Sequence, residues 1–226
     1  ESKFEFVNDK KLYKTLISYS GWNLFGTISG VAKEQGVNIL LNMFYGPVVN
    51  AARGIAMQVQ AAVNSFVSNF QMAVNPQIIK SYAADEREYM TSLIIRSSKF
   101  SFYLLFLLSL PIIIEVDQIL RFWLKTVPEY SSIFTILVLV IILIDCVSGP
   151  LMTAIHATGK IKVYQAVVGS LLMLILPISY VLLKKGYSPE ITLYVNIVIS
   201  IIALSFRLFI VWKLLGFPIM RFIREI

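Results

Sequence analysis

The residues most able to do chemistry lie where the chain is least charged. From Gly54 to Ile79 there is no charged side chain, yet the stretch holds Gln58, Gln60, Asn64, Asn69, Gln71 and Asn75. At about 100° per residue of helix, Arg53, Gln60, Asn64, Ser68, Gln71 and Asn75 fall within a sector of about 80°. They form one stripe, rising over about 33 Å of helix, with Gln58 and Asn69 outside it. Ile55, Ala62, Val63, Phe66 and Phe70 take the other side and suit lipid or a packed neighbour. Amides in a row donate and accept hydrogen bonds, and a guanidinium at the end adds fixed positive charge. Unpaired amides in hydrocarbon cost several kcal/mol, so the stripe must face protein or water. Two readings follow: a set of helix–helix hydrogen bonds, or the wall of a wet cavity with Arg53 at its mouth.

The elements that carry this stripe are membrane spans. With 57% apolar and 15% charged residues and a mean hydropathy of +0.74, the composition lies outside that of soluble domains, which carry about 25% charge. The single Cys146 forms no internal disulfide and the lone His156 builds no metal cluster, which argues against redox and zinc chemistry. The opening "ESKFEFVNDKKLYK" has no secretory leader pattern and is expected to continue from a longer chain. Runs of about 20 apolar residues predict six spans, at about 15–45, 48–79, 100–120, 131–157, 163–183 and 191–214. Residues 1–14 are expected to be a cytoplasmic linker and 215–226 a cytoplasmic tail. Lys80–Lys99 is expected to be a surface loop with a helical turn or two.

The first span contains Lys33 and Glu34, and reads either as one long or bent helix or as two short ones meeting at "GVAKEQG". Positive charge decides. With six spans one side carries Lys3, Lys10, Lys11, Lys14, Lys80, Arg87, Arg96, Lys99, Lys160, Lys162, Lys213, Arg221 and Arg224, against Arg53, Arg121, Lys125, Lys184 and Lys185 on the other. Seven spans would erase that bias. Both ends are therefore placed in the cytoplasm, and the net charge of +7 reads as an orientation signal, with no nucleic-acid groove.

Asp145, near the middle of the fourth span and followed by "SGP", is a candidate proton or sodium coupling site, or else a local ion pair or serine acceptor. Pro150 should kink that span. His156 is expected near the cytoplasmic interface in a structural role, and Glu115 and Asp117 at the outer interface. Lys33 either neutralises Glu34 or faces the cavity.

The stretch "GWNLFGTISGVAKEQGVNILLNMFYGPVVNAARGIAMQVQAAVNSFVSNFQMAVNPQIIKSYA", with "SSKFSFYLLFLLSLPI" and "SGPLMTAIHATGKIKVYQ", resembles the C-terminal half of bacterial polysaccharide flippases of the Wzx type. These belong to the multidrug/oligosaccharidyl-lipid/polysaccharide exporter superfamily. The resemblance covers almost the whole chain. It implies an all-α, polytopic six-helix lobe facing an N-terminal six-helix lobe. It also implies alternating-access transport of undecaprenyl-diphosphate-linked repeat units across the inner membrane, in O-antigen or lipopolysaccharide biosynthesis. Arg53 and Lys33 then become diphosphate contacts, the amides sugar contacts, and Trp22 and Tyr45 candidates for ring stacking or for belt and core packing. Partners on this reading are the lipid-linked oligosaccharide and membrane lipid. No cofactor and no catalytic residues are expected. The alternatives are a cation-coupled multidrug exporter, which would favour carboxylates, and a membrane-embedded transferase, polymerase or scaffold subunit.

Overall fold

A computed structural model describes residues 9–226, and Lys3 and the rest of 1–8 lie outside the described residues. The described chain is all-helical. In order it comprises α1 (Lys10–Ala83), α2 (Arg87–Ile114), α3 (Val116–Trp123), α4 (Ser131–Cys146), α5 (Ser148–Ala157), α6 (Lys162–Lys184), α7 (Ile191–Leu215) and α8 (Ile219–Glu225). Four helical stretches are long and apolar enough to cross a membrane: Arg87–Ile114, Ser131–Ala157, Lys162–Lys184 and Ile191–Leu215. These make the chain a multi-pass membrane protein by length and composition. Helix α1 is long enough but too polar to join them.

Asp9 caps α1, its Oδ1 accepting from the Lys11 N–H at 2.8 Å and the Leu12 N–H at 3.3 Å. The helix therefore begins well before residue 15, inside the expected linker. It passes unbroken through Lys33 and Glu34, so "GVAKEQG" is not a junction. The break comes at Gly46, with φ 78° and ψ −174°, a region open essentially only to glycine. Pro47 follows it, with φ preset for a first helical turn. Two halves, 10–45 and 47–83, result.

Two other boundaries depart from expectation. Lys80–Lys99 is no surface loop: the turn is confined to 84–86, with Asp85 left-handed at φ 58°, and α2 starts at Arg87. Met90, Ile94 and Ile95 are buried at helical spacing, and that packing overrides the flanking charges. The third predicted span does not run on to residue 120. It stops at Ile114, and α3 forms a separate amphipathic turn that buries Val116 and Leu120 while leaving Phe122 95% exposed. The tail is also ordered, with Phe217 and Phe222 buried and their rings 5.6 Å apart.

The fourth apolar stretch is split at Val147, three residues before Pro150. A proline has no N–H for the carbonyl four residues back, here Cys146, and its ring crowds that carbonyl. Two apolar clusters hold the helices together. One joins Val63, Ile94, Leu139, Ile155 and Val211, and the other joins Leu41, Ala56, Phe134, Ile175 and Leu193.

Because a Cβ at Gly46 meets nothing within 4 Å, its substitution tests backbone conformation alone. Gly46→Ala should lower unfolding stability by about 1–3 kcal/mol. Gly54→Ala, inside the helix with equally open space, should be neutral or stabilising by up to about 1 kcal/mol. Chemical unfolding in detergent micelles distinguishes the two.

Candidate functional site

The second half of α1 brings its amides against α4, and the break at Val147 explains what the lower ones do. Having lost its helical donor, the Cys146 carbonyl accepts from Gln71 Nε2 at 2.9 Å, and the same amide nitrogen donates to Ser101 Oγ at 3.0 Å. Ser98 Oγ donates to the Val147 carbonyl at 3.0 Å. Gly149 makes the approach feasible, since a Cβ there would collide with the Gln71 amide. One turn on, Thr153 Oγ1 donates to Asn75 Oδ1 at 2.9 Å. For Gln71 and Asn75 the hydrogen-bonding reading is therefore correct.

Higher on the stripe the helices part. A cavity of about 280 Å³ is lined by Gln60, Asn64, Ser68, Gln71, Asp145 and Cys146, with Val67 and Ile142. A smaller one of about 100 Å³ shares Gln60 and Asp145 and adds Lys33, Glu34, Arg53 and Asn196. Two adjoining polar hollows thus run along α1, with Gln60 and Asp145 at their junction. Five of the six predicted stripe residues and Lys33 line them; Asn75 does not.

Arg53 is not a free charge at the mouth. It is 6% exposed, and its Nη1 donates to Asn38 Oδ1, tying the two halves of α1 together across the Gly46 break. Its Nε and the Asn196 Oδ1 have no protein partner. Lys33 is half-buried and Glu34 exposed, both on the smaller cavity. Gln58 and Asn69, off the stripe, are exposed.

Asp145 has the local partners that its alternative reading named. Its Oδ1 lies 3.7 Å from Arg207 Nη1, and its Oδ2 accepts from Ser200 Oγ at 3.4 Å. Arg207, 6% exposed, also donates to Ser148 Oγ at 3.1 Å. The carboxylate is still open to the cavity, with 36% of its side chain exposed. The signal for Arg207 in the sequence is spacing alone: Ser200 and Arg207, seven apart, share a face of α7, as Asp145 and Ser148, three apart, do on the facing stretch.

His156 packs as a structural residue, its Nδ1 3.1 Å from Tyr19 Oη and its ring edge-on to Tyr164. Trp22 and Tyr45 lie away from both hollows: Trp22 sits edge-on to Phe25, and Tyr45 Oη donates to the Tyr187 carbonyl at 2.6 Å. Asp117 accepts from Ser132 Oγ at 2.5 Å.

No protein family, curated protein or solved structure matches this chain. Among the described residues, no group of three or more His, Cys, Asp or Glu is placed to hold a metal ion. The arrangement offers amide and hydroxyl donors, two basic groups and two carboxylates around a polar hollow. It is suited to reversible binding of a polar or ionic group.

Gln71→Leu should lower stability by about 1 kcal/mol, near the middle of measured interhelical hydrogen-bond values. Gly149→Ala should do the same by displacing the Gln71 amide. The double variant should lose less than the sum; strict additivity in unfolding measurements would show that the two residues act separately.

Proposed function

We propose that this chain is a six-span transmembrane lobe of a Wzx-type flippase, and that it moves undecaprenyl-diphosphate-linked repeat units across the inner membrane by alternating access. On this reading both halves of α1 cross the bilayer with the four more apolar stretches, and both ends of the chain are cytoplasmic. The observation that carries it is the pair of adjoining polar hollows along α1, lined by Gln60, Asn64, Ser68, Gln71, Lys33, Arg53 and Asp145. A dry structural subunit has no need of them. The exposed Gln58, Ser65 and Asn69 extend the polar surface outward on the same half-helix. In a bilayer such a face requires water or protein, and an N-terminal six-helix lobe across a substrate path would supply both.

In this mechanism Lys33 and the unpaired Nε of Arg53 offer positive charge to the diphosphate, and the amides offer hydrogen bonds to sugar hydroxyls. Charge-assisted contacts of this kind contribute about 1.5–3 kcal/mol each. Asp145 is the coupling group: a proton or sodium ion taken up there weakens its hold on Arg207 and Ser200, and so changes how α4 and α7 pack. The reading needs no catalytic residue and no cofactor beyond the coupling ion.

A second reading, a cation-coupled multidrug exporter of the same superfamily, gains from one observation. Glu34 and Asp145 bring two carboxylates to a cavity that the stripe alone left without any.

Loss of the gene should abolish surface polysaccharide and accumulate lipid-linked oligosaccharide inside the cell. A Lys33→Gln/Arg53→Gln copy that reaches the membrane should restore export at least about tenfold less well than wild type, for a loss of about 1.4 kcal/mol or more. Full restoration by that copy, or unchanged polysaccharide in the deletion together with sensitivity to cationic drugs, would favour the exporter.

A further inference from the structure

Away from the amide hollows, a second pair of adjoining pockets follows the seam between the first half of α1 and α6. The first, about 310 Å³, lies at the start of both helices and is lined by Lys14, Lys160 and Lys162 with the hydroxyl residues Thr15, Ser18 and Tyr19. No acidic residue lines it, and none of its three lysines is in an ion pair among the described residues. The second pocket, about 550 Å³, shares Ser18 and Trp22 with the first and continues along the seam over Ile17, Gly21, Phe25 and Ala166. A Cβ at Gly21 would meet nothing within 4 Å, so the groove floor is open there. Trp22 stands where the two meet, its ring 5.6 Å from Lys162 Nζ, a position typical of tryptophan at a membrane–water boundary.

Three ammonium groups at one end and an apolar groove at the other match an amphiphile with an anionic head. We propose that this seam binds one phospholipid of net negative charge, its phosphate-bearing headgroup among Lys14, Lys160 and Lys162 and one acyl chain in the groove beside Gly21 and Phe25. Charge complementarity selects the head, since each basic residue near an anionic surface contributes attraction that a zwitterionic head, with its own cation, forfeits. Groove continuity selects a lipid over a bare anion, because phosphate alone fills only the basic pocket. The site shares no lining residue with the amide hollows and does not rest on the transport reading.

Trp22 is the natural reporter, the other tryptophans being Trp123 and Trp212. In a Trp123→Phe/Trp212→Phe background reconstituted in phosphatidylcholine bilayers, chain-brominated phosphatidylglycerol should quench Trp22 well beyond its mole fraction. Brominated phosphatidylcholine should not. Lys160→Gln/Lys162→Gln, changes at exposed positions, should cut the preference about tenfold or more, and Lys160→Arg/Lys162→Arg should keep it. Equal quenching by the two lipids, or preference unchanged in the glutamine variant, would overturn the proposal. So would loss of the preference on adding glycerol phosphate at the same concentration as the lipid, which would mark a bare-anion pocket.

Discussion

The hydrogen bond from Gln71 to the Cys146 carbonyl fixes how the amide-rich half of α1 meets α4, an almost wholly apolar helix. Pro150 removes the helical donor for that carbonyl, and a buried carbonyl left unpaired costs about 1–3 kcal/mol. Gln71 supplies the donor, Gly149 leaves it room, and Ser98 and Thr153 complete the seam on either side. The glutamine thus answers the carbonyl that the proline leaves without a helical donor. With α1 pinned there, its register against α4 is set, and Gln60 and Asn64 higher up face Asp145 across a hollow.

A second constraint works at the other end. The Gly46 break lets α1 turn back on itself, and the Arg53–Asn38 contact fastens the two halves just past the turn. That places Lys33 and Glu34 from one half beside Arg53 and Gln60 from the other. Asp145, which Arg207 approaches from behind at 3.7 Å, lines the same hollow, so two basic groups and two carboxylates share it. Breaking a buried ion pair by removing one partner costs about 3–5 kcal/mol, because a lone charge is left behind. The half-exposed Asp145 has the hollow as an alternative source of solvation. Such a pair can be opened by an ion at lower cost than a sealed one.

Much of this was legible in the sequence because helical periodicity is rigid. Counting residues put Arg53, Gln60, Asn64, Ser68, Gln71 and Asn75 on one face, and the structure finds five of them lining the hollows and the sixth in a helix contact. Counting could not tell which amides are consumed by neighbours, since that depends on where another helix breaks. Arg53 misled because position along a span says nothing of a partner fifteen residues back across a glycine turn. Gln58 and Asn69 lie off the stripe, as the periodicity places them, and are exposed. Helix α2 was cut short because charge at Arg87 and Arg96 outweighed the buried Met90, Ile94 and Ile95 in a hydropathy scan. The lysine seam on α1 and α6 stayed hidden because its parts lie about 145 residues apart.

The central claim is that α1 presents a wet polar stripe inside an otherwise apolar bundle. Spin labels placed singly from residue 58 to 76, in a protein with Cys146 replaced by alanine, report collision with a water-soluble nickel chelate and with oxygen, which prefers lipid. Nickel accessibility should be high at 60, 64 and 68 and low at the buried 63, while oxygen accessibility peaks on the exposed apolar Phe66. Low nickel accessibility at 60, 64 and 68, no greater than at 63, would mean a dry helix contact and contradict the account.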